Sequence, residues 1–537
     1  MSSSGSVAAA QAPSAWAPFG YRAFALLWTA TLISNVGTWM HDVGAGWLMT
    51  TLNSSPAVVS LVQAATTLPV FLFALYAGTL ADRLDKRKML ITVNMMLLVV
   101  IAVLAGLVHL ELVTPGLLIL FTLAIGTGTA FMAPAWQAIV PTLVPREALQ
   151  PAIALNSMGI NISRAIGPAL AGLLIASVSL SAPFALNALS HVVIIVALLT
   201  WKYDGTPKKT SQPIANAMLT GLRHVAHNGP FKATLIRSFA FFIFASAYWA
   251  LLPLVVQGIE GGDATLYGLL LTLIGTGAVA GALTMPKLHA RLDASAMAAA
   301  GAVGTALAMA VLATAAQPPV AAAAALLGGF SWIALLTTLN VSAQTALPNW
   351  VRARGLAINL MVFFGSMAFG SAMWGQVAAL TSTTTALLIA AVGLLAGLAL
   401  TRHHVLGQGE GIDLTPAMHW PAPDLALEDE GLNTRGPVMV EVEYHINPAD
   451  QAAFLAAIHD WSGERWRDGA YDWHIYQSAE TPTVWGEAFL ISSWEEHMAQ
   501  HDRVTAQDKA VQDKVRAFDT RPEGPTVRHL IAPETTP

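Results

Sequence analysis

QPAIALNSMGINISRAIGPALAGLLIASV, residues 150–178, combines two properties that seldom meet. At about 1.5 Å per residue, Ile153 to Ile175 spans roughly the 30 Å hydrocarbon thickness of a bilayer. Yet the stretch carries small residues at Gly167, Ala169, Ala171 and Gly172, a proline at Pro168 and one full charge, Arg164. A guanidinium at that depth costs at least ~2.5–3.5 kcal/mol on insertion scales, so Arg164 is expected to face protein or water rather than lipid. Gly167 and Gly172 let a second helix approach backbone to backbone, and Pro168 removes a hydrogen-bond donor where the helix can bend. The stretch reads as a spanning helix that forms a hinge or seam beside a charged site.

The chain around it has the composition of a membrane protein. Of 537 residues, 55% are hydrophobic and 11% charged, with a mean hydropathy of +0.57, which excludes a soluble globular protein. The net charge of −5 is less telling than its distribution, because the acids gather toward the C-terminus. Without cysteine there are no disulfides, thiolate nucleophiles or cysteine metal sites. Neither a metal, a cofactor nor a nucleic acid is expected as a partner. The first twenty residues lack a basic n-region, and no cleaved signal is expected.

Apolar runs bounded by charges, Pro or Gly predict twelve spans, about 23–50, 57–80, 89–109, 115–135, 151–177, 182–201, 231–256, 265–286, 295–315, 319–341, 354–380 and 384–401. Alternate connections hold the basic residues, among them Arg83, Lys86, Arg87 and Lys88, then Arg146, Lys208, Lys209, Lys287 and Arg352. The other loops hold none. The positive-inside bias then predicts both termini on the cytoplasmic side of a bacterial inner membrane. Sliding the chain against itself by 203 residues superposes Pro115 on Pro318, Pro145 on Pro348, Asn156 on Asn359, Gly167 on Gly370 and Gly172 on Gly375. The expected fold class is therefore an all-α membrane protein of two parallel six-helix repeats, the arrangement of secondary transporters, plus a small C-terminal α+β domain. The expected domains are an N-terminal tail (1–22), a first half (23–201), a linker (202–230), a second half (231–402), a second linker (403–437) and a soluble domain (438–532). The first linker holds a predicted amphipathic helix, with Ile214, Met218, Leu222 and Val225 on one face and Arg223 and His224 toward the polar side, expected to lie on the cytoplasmic surface.

Between spans two and three lies GTLADRLDKRK, Gly78 to Lys88. With twelve spans and a half-repeat, this loop resembles the first conserved loop of the major facilitator superfamily, although Asp85 stands where a second glycine is usual. The resemblance implies that Gly78, Asp82, Arg83 and Arg87 form a gating loop that holds the cytoplasmic side closed. Gly167, Pro168 and Gly172 are similar to that superfamily's antiporter-associated helix-five motif, which implies export. The runs GTWMHDVGAGWLMT (37–50), LVPREALQPAIALNS (143–157), NISRAIGPALAG (161–172) and LPNWVRARGLAINL (347–360) resemble the branch of the enterobactin exporter and the transmembrane secretion effectors.

Downstream, the order βαββαβ predicts a ferredoxin-like sandwich: strands at Val438–Ile446, Ala470–Ser478, Thr483–Ser492 and Thr526–Ile531, helices at Pro448–Arg467 and Trp494–Phe518. It resembles the dimeric α+β-barrel domains of the antibiotic-biosynthesis monooxygenase type, which implies a homodimer through this domain. Trp466, Trp473, His474, Trp485, Glu487, Trp494, His497 and His501 could line a pocket, but tryptophans at strand spacing fit a core better.

The expected function is proton-coupled export of a small amphipathic molecule, drug- or siderophore-like, by alternating access in the lipid bilayer. The alternatives are a membrane-anchored enzyme or regulator acting through the tail, or an importer. Trp39, Gln63, Tyr248, Trp249, Asn340 and Asn359 are expected to line the substrate cavity. Asp42 and Arg164, whose counterparts at the 203 offset are Ala245 and Met367, are expected to pair for proton coupling.

Overall fold

A computed structural model describes residues 14–202, 214–408, 413, 415, 417 and 435–533. The side chains of Thr79, Asp82, Arg83, Asp502 and residues 214–220 lie outside the described residues, and with them the expected gating roles of Asp82 and Arg83. Two compact units emerge, the first formed by Met1–Thr210, Arg237–Leu339 and Ala357–His403, the second by Ser211–Ile236, Asn340–Leu356 and His404–Pro537.

Among the described residues, twelve helices are long and apolar enough to cross a membrane. They are α1 (Arg22–Leu52), α2 (Pro56–Arg83), α3 (Lys86–His109), α4 (Pro115–Ile139), α5 (Leu149–Ser177), α6 (Ala182–Thr200), α8 (Gly229–Gln257), α9 (Ala264–His289), α10 (Ala294–Ala313), α11 (Pro318–Thr345), α12 (Asn349–Leu380) and α13 (Thr383–Leu400); the shorter α7 (Ile214–His227) lies between α6 and α8. Their starts are chemical. Asp85, Asp263, Asp293 and Ser382 accept the backbone N–H groups of Lys88, Leu266, Ala296 and Thr385, at 2.7–3.0 Å, and so cap α3, α9, α10 and α13. The residue that replaces the usual glycine of the signature loop, Asp85, is thus the N-cap of the third span.

Lipid tails are as apolar as leucine, so burial of apolar surface does not drive these helices together; close packing and hydrogen bonds do. In the first half, α1 packs on α5 and α6, α2 on α4, and α3 on α4 and α6. Leu27, Leu90, Ile139 and Leu198 fill the end nearest the basic loops, and Met49, Ile101, Leu104 and Phe184 the opposite end. Glycines set the closest approaches: a Cβ on Gly126 would lie 3.0 Å from the Thr66 carbonyl oxygen.

The second unit is built around a four-stranded sheet of β1 (Val438–His445), β2 (Tyr471–Gln477), β3 (Val484–Ile491) and β4 (Thr526–Ile531), in the order β2-β3-β1-β4 with all neighbours antiparallel. The helices are α14 (Gln451–Arg467), α15 (Trp494–Arg503) and α16 (Ala506–Arg516). The sequence predicts one helix over Trp494–Phe518; the chain instead restarts at Thr505, whose hydroxyl and Asp508 form a capping box. Val438, Val440, Val442, Phe454, Ile458, Trp461 and Phe489 are the core.

Helix α7 also differs from expectation. His224, assigned to the polar side, is only 3% exposed, whereas Leu222 on the apolar side is 47% exposed. The polar face is the docking face: His227 stacks on Trp466 at 5.4 Å between ring centroids, and Arg223 lies over Tyr471 and donates to the Gly469 carbonyl oxygen.

Candidate functional site

Helix α5 is where the two halves meet. Its motif residues point two ways: a Cβ on Gly167 would lie 3.0 Å from the Val36 carbonyl oxygen of α1, and one on Gly172 would lie 2.8 Å from the Ala264 carbonyl oxygen and 3.2 Å from Thr265 Cα of α9. Gly268 of α9 presses on the Pro168 carbonyl oxygen, and Gly275 on that of Arg164. A Cβ at Gly172 or Gly268 would force α5 and α9 apart, and one at Gly275 would need the backbones to yield by a few tenths of an ångström. The antiparallel seam therefore runs from the outer end of both helices, the end away from the basic loops, to mid-helix. A matching contact joins α2 to α12, where Gly365 packs on the Phe71 ring and Phe71 meets Phe369 edge to face at 5.6 Å.

Arg164 stands where the α5–α9 seam ends. Its guanidinium carbon lies 5.4 Å from the Trp39 ring centroid, its Nε is buried without a hydrogen-bond partner, and among the described residues it forms no ion pair. Asp42 lies one helical turn beyond Trp39, and it too lacks an ion pair among the described residues. The expected Asp42–Arg164 ion pair is not formed among the described residues, and the guanidinium rests on the Trp39 indole.

Of the expected cavity residues, Trp39 and Gln63 are partly exposed, the first against Arg164 and Gly167. Tyr248 is different. It is 1% exposed, its ring packs on Gly328 of α11, and its hydroxyl is unpartnered, so it belongs to the interior of the second half rather than to an open wall. Trp249 meets Trp332 at 5.5 Å, and the Trp249 Nε1 and Asn359 Oδ1 atoms are buried without partners. Asn340 is partly exposed and lies in the second unit.

Arg87 takes no part in a latch with the described residues. It donates from Nε and Nη2 to the carbonyl oxygens of Leu198 and Leu199, at 2.7 and 2.8 Å, capping the C-terminus of α6.

Sequence reasoning missed a polar cluster inside the first half. Asn94 donates to the Leu90 carbonyl oxygen, which turns its Oδ1 toward His191 Nδ1 at 2.9 Å; His41, 2% exposed, lies edge-on to Phe184 with both ring nitrogens unpartnered. Isolated polar residues in apolar runs carry no spacing that would have grouped them.

In the soluble domain, Glu487 is fully buried and accepts from Arg465 (3.0 and 3.2 Å), Tyr444 (3.1 Å) and Trp473 Nε1 (3.0 Å). Four donors occupy the carboxylate, so Glu487, Trp473 and Trp485 serve the core. His497 packs on His501 and His529 at 5.0 and 4.7 Å between ring centroids, and burial lowers His497 to a pKa of about 3.

The transmembrane secretion effector family matches this sequence over residues 13–537. The chain belongs to that family, a branch of the major facilitator superfamily. Among its relatives, the staphyloferrin A transporter of Staphylococcus aureus is 25% identical over 257 residues, 47% of this chain and 64% of that one. Macrolide efflux protein A of Streptococcus pyogenes is 27% identical over 237 residues, 43% and 58% of the two chains. The match thus spans about three-fifths of the length of these two relatives. The enterobactin exporter EntS of Salmonella typhimurium is 25% identical over 377 residues, 70% and 90% of the two chains. Among solved structures, a bacterial homolog of the human lysosomal transporter Spinster, inward-facing and unoccupied, aligns with a TM-score of 0.57 at 14% identity over 72% of this chain and 97% of that one. The nucleoside transporter NupG aligns at 0.58 with 13% identity, over 71% and 98%. At such identities the likeness is one of fold.

Proposed function

We propose that this chain is a secondary active transporter that exports a small amphipathic molecule by alternating access, driven by protons. The observation that carries the reading is the seam: the halves touch through glycines from mid-helix to the end away from the basic loops, with an unpaired charge where the contact stops. Rocking one half against the other about such a seam exposes that charge to each side in turn. With the basic loops taken as cytoplasmic, this state is the inward-facing one and both termini lie inside. Export is the direction in keeping with the helix-five motif and with the printed names of the enterobactin and macrolide relatives. Asp42 is the proposed proton carrier. The tail, with the strand order expected of a ferredoxin-like sandwich, serves as a platform or dimerisation domain rather than a catalyst.

Accumulation of labelled compound in everted vesicles, but not in right-side-out ones, under an imposed pH gradient is the expected result. Accumulation only in right-side-out vesicles would establish the importer. Asp42→Asn is expected to abolish gradient-driven export and to leave binding intact.

A further inference from the structure

We infer that Arg164, seated on Trp39, is the receptor for the anionic group of the cargo, which makes the transported molecule an amphipathic organic anion. The inference rests on the transport reading above and narrows it. A guanidinium cannot shed its charge as a carboxyl or imidazole can, so inside a membrane helix it has to be compensated from outside itself. Compensation supplied by the protein is incomplete here. The indole face of Trp39 offsets part of the cost of the charge but leaves the buried Nε donor without an acceptor.

Nothing else in the vicinity makes up the difference. Among the described residues no carboxylate lies within ion-pair distance of Arg164, and its Nε donor is buried and unused. The neighbouring polar groups of α5 donate to backbone carbonyls: Asn161 to that of Ser157, and Ser163 to those of Gly159 and of Leu32 on α1. Position supplies the rest of the argument. The Arg164 carbonyl oxygen marks the last α5–α9 approach, at Gly275, and on the basic-loop side of it Thr276, Ala280 and Thr284 of α9 are exposed. The charge therefore stands at the closed end of the gap between the halves, partly exposed, where an anion arriving from the basic-loop side meets it. The same indole that carries the guanidinium offers an apolar surface beside it, which selects an anion with an apolar body over a small inorganic one.

The test compares 2-naphthoate with its neutral isostere 2-naphthamide on the purified full-length protein, by tryptophan quenching and by thermal stabilisation. Naphthoate is expected to bind and naphthamide to bind at least about tenfold more weakly, the usual weight of a charged hydrogen bond. Arg164→Gln is expected to lose that preference and Arg164→Lys to retain most of it. Equal binding of the two probes, unchanged naphthoate binding by Arg164→Gln, or no binding of naphthoate to the parent protein would each overturn the inference. If Arg164→Gln does not fold, the preference is read on Arg164→Lys, where a site that recognises only shape shows none. Movement of naphthoate across proteoliposomes is measured separately. Binding without movement would sink the transport reading alone, and movement that ignores Arg164→Gln would sink only the anion site.

Discussion

Arg87 and Arg237 do the same work on corresponding parts of the two halves while standing on helices that do not correspond. Arg87, at the start of the third span, caps the Leu198 and Leu199 carbonyls; Arg237, in the seventh, donates to Thr401 and Arg402, which follow that pair by the 203-residue repeat offset. The last carbonyls of both closing helices need a cation, but its supplier has changed. The Arg237 bonds are longer, 3.4 Å each against 2.7 and 2.8 Å, and its Nη1 is buried without a partner. Arg87→Gln should therefore cost more than Arg237→Gln, by about 1 kcal/mol. Thermal unfolding of the purified variants reads the order, and a larger loss at Arg237 would refute it.

The seam predicts a steric effect. Gly268 presses on the Pro168 carbonyl, where any side chain meets backbone that cannot yield. Gly268→Leu is expected to part α5 from α9 and shift the protein toward states open at the end away from the basic loops. Because the chain has no cysteine of its own, single cysteines at Ala169 and Thr265 report this directly: their labelling by an external thiol reagent should rise severalfold. Unchanged labelling would place the hinge elsewhere.

His224 predicts a pH effect with a definite sign. Its Nδ1–H donates to the Arg467 carbonyl oxygen at 3.1 Å, and its Nε2 accepts from the Asn228 amide at 3.2 Å, so the neutral ring is fully used. Burial, reinforced by Arg467, lowers its pKa to about 4. The folded value lies below the unfolded one, so this contribution is complete above about pH 6.5 and is lost as pH falls toward 4. Hydrogen exchange of residues 222–227, corrected for intrinsic rates, should accelerate over that window in the parent and not in His224→Phe.

Asp468 titrates in the opposite sense. Burial, with Asp508 beside it, raises its carboxyl to about 7 despite Arg467 and Arg503. An acid held protonated in the fold stabilises fully below its unfolded value of about 4, and that contribution is lost as pH rises through 7. Asp468→Asn should gain protease resistance of the tail relative to the parent as pH goes from 5 to 8. A gain that shrinks over the same range would contradict the assignment.

A fifth relation ties the tail to the start of α12. Arg503 lies 4.3 Å from the Trp350 ring centroid while both its Nη atoms are held by Glu496, at 2.6 and 3.2 Å. A double-mutant cycle on Trp350 and Arg503 should return a coupling of about 1 kcal/mol. Zero coupling would show that the two merely sit near each other.

What the sequence disclosed follows physical range. The twelve spans and the four strands of the tail were legible because hydropathy and period are local properties, repeated many times over. The helix-five glycines were readable as a contact surface, yet their partners on α9 were not, since nothing local says which helix fills a groove. Asp85 read as a departure from a pattern, and only the capped Lys88 amide shows what it does. Tyr248 was misjudged because depth along a helix can be counted, while the face it presents depends on Gly328, eighty residues away. The polar side of α7 was assigned to water for a related reason: a buried histidine with both nitrogens satisfied is spelled the same as an exposed one.

One amide in the second unit acts as a rivet. Asn228 donates to the Ala346 carbonyl oxygen, accepts from the Phe231 N–H and donates to His224, so the end of α11, the start of α8 and the docking face of α7 are pinned at a single side chain. Torque applied to the soluble domain through α7 is therefore delivered to the roots of two spanning helices with little slack. Whatever turns that domain turns both helix ends with it, and the stiffness of the link is set by three hydrogen bonds.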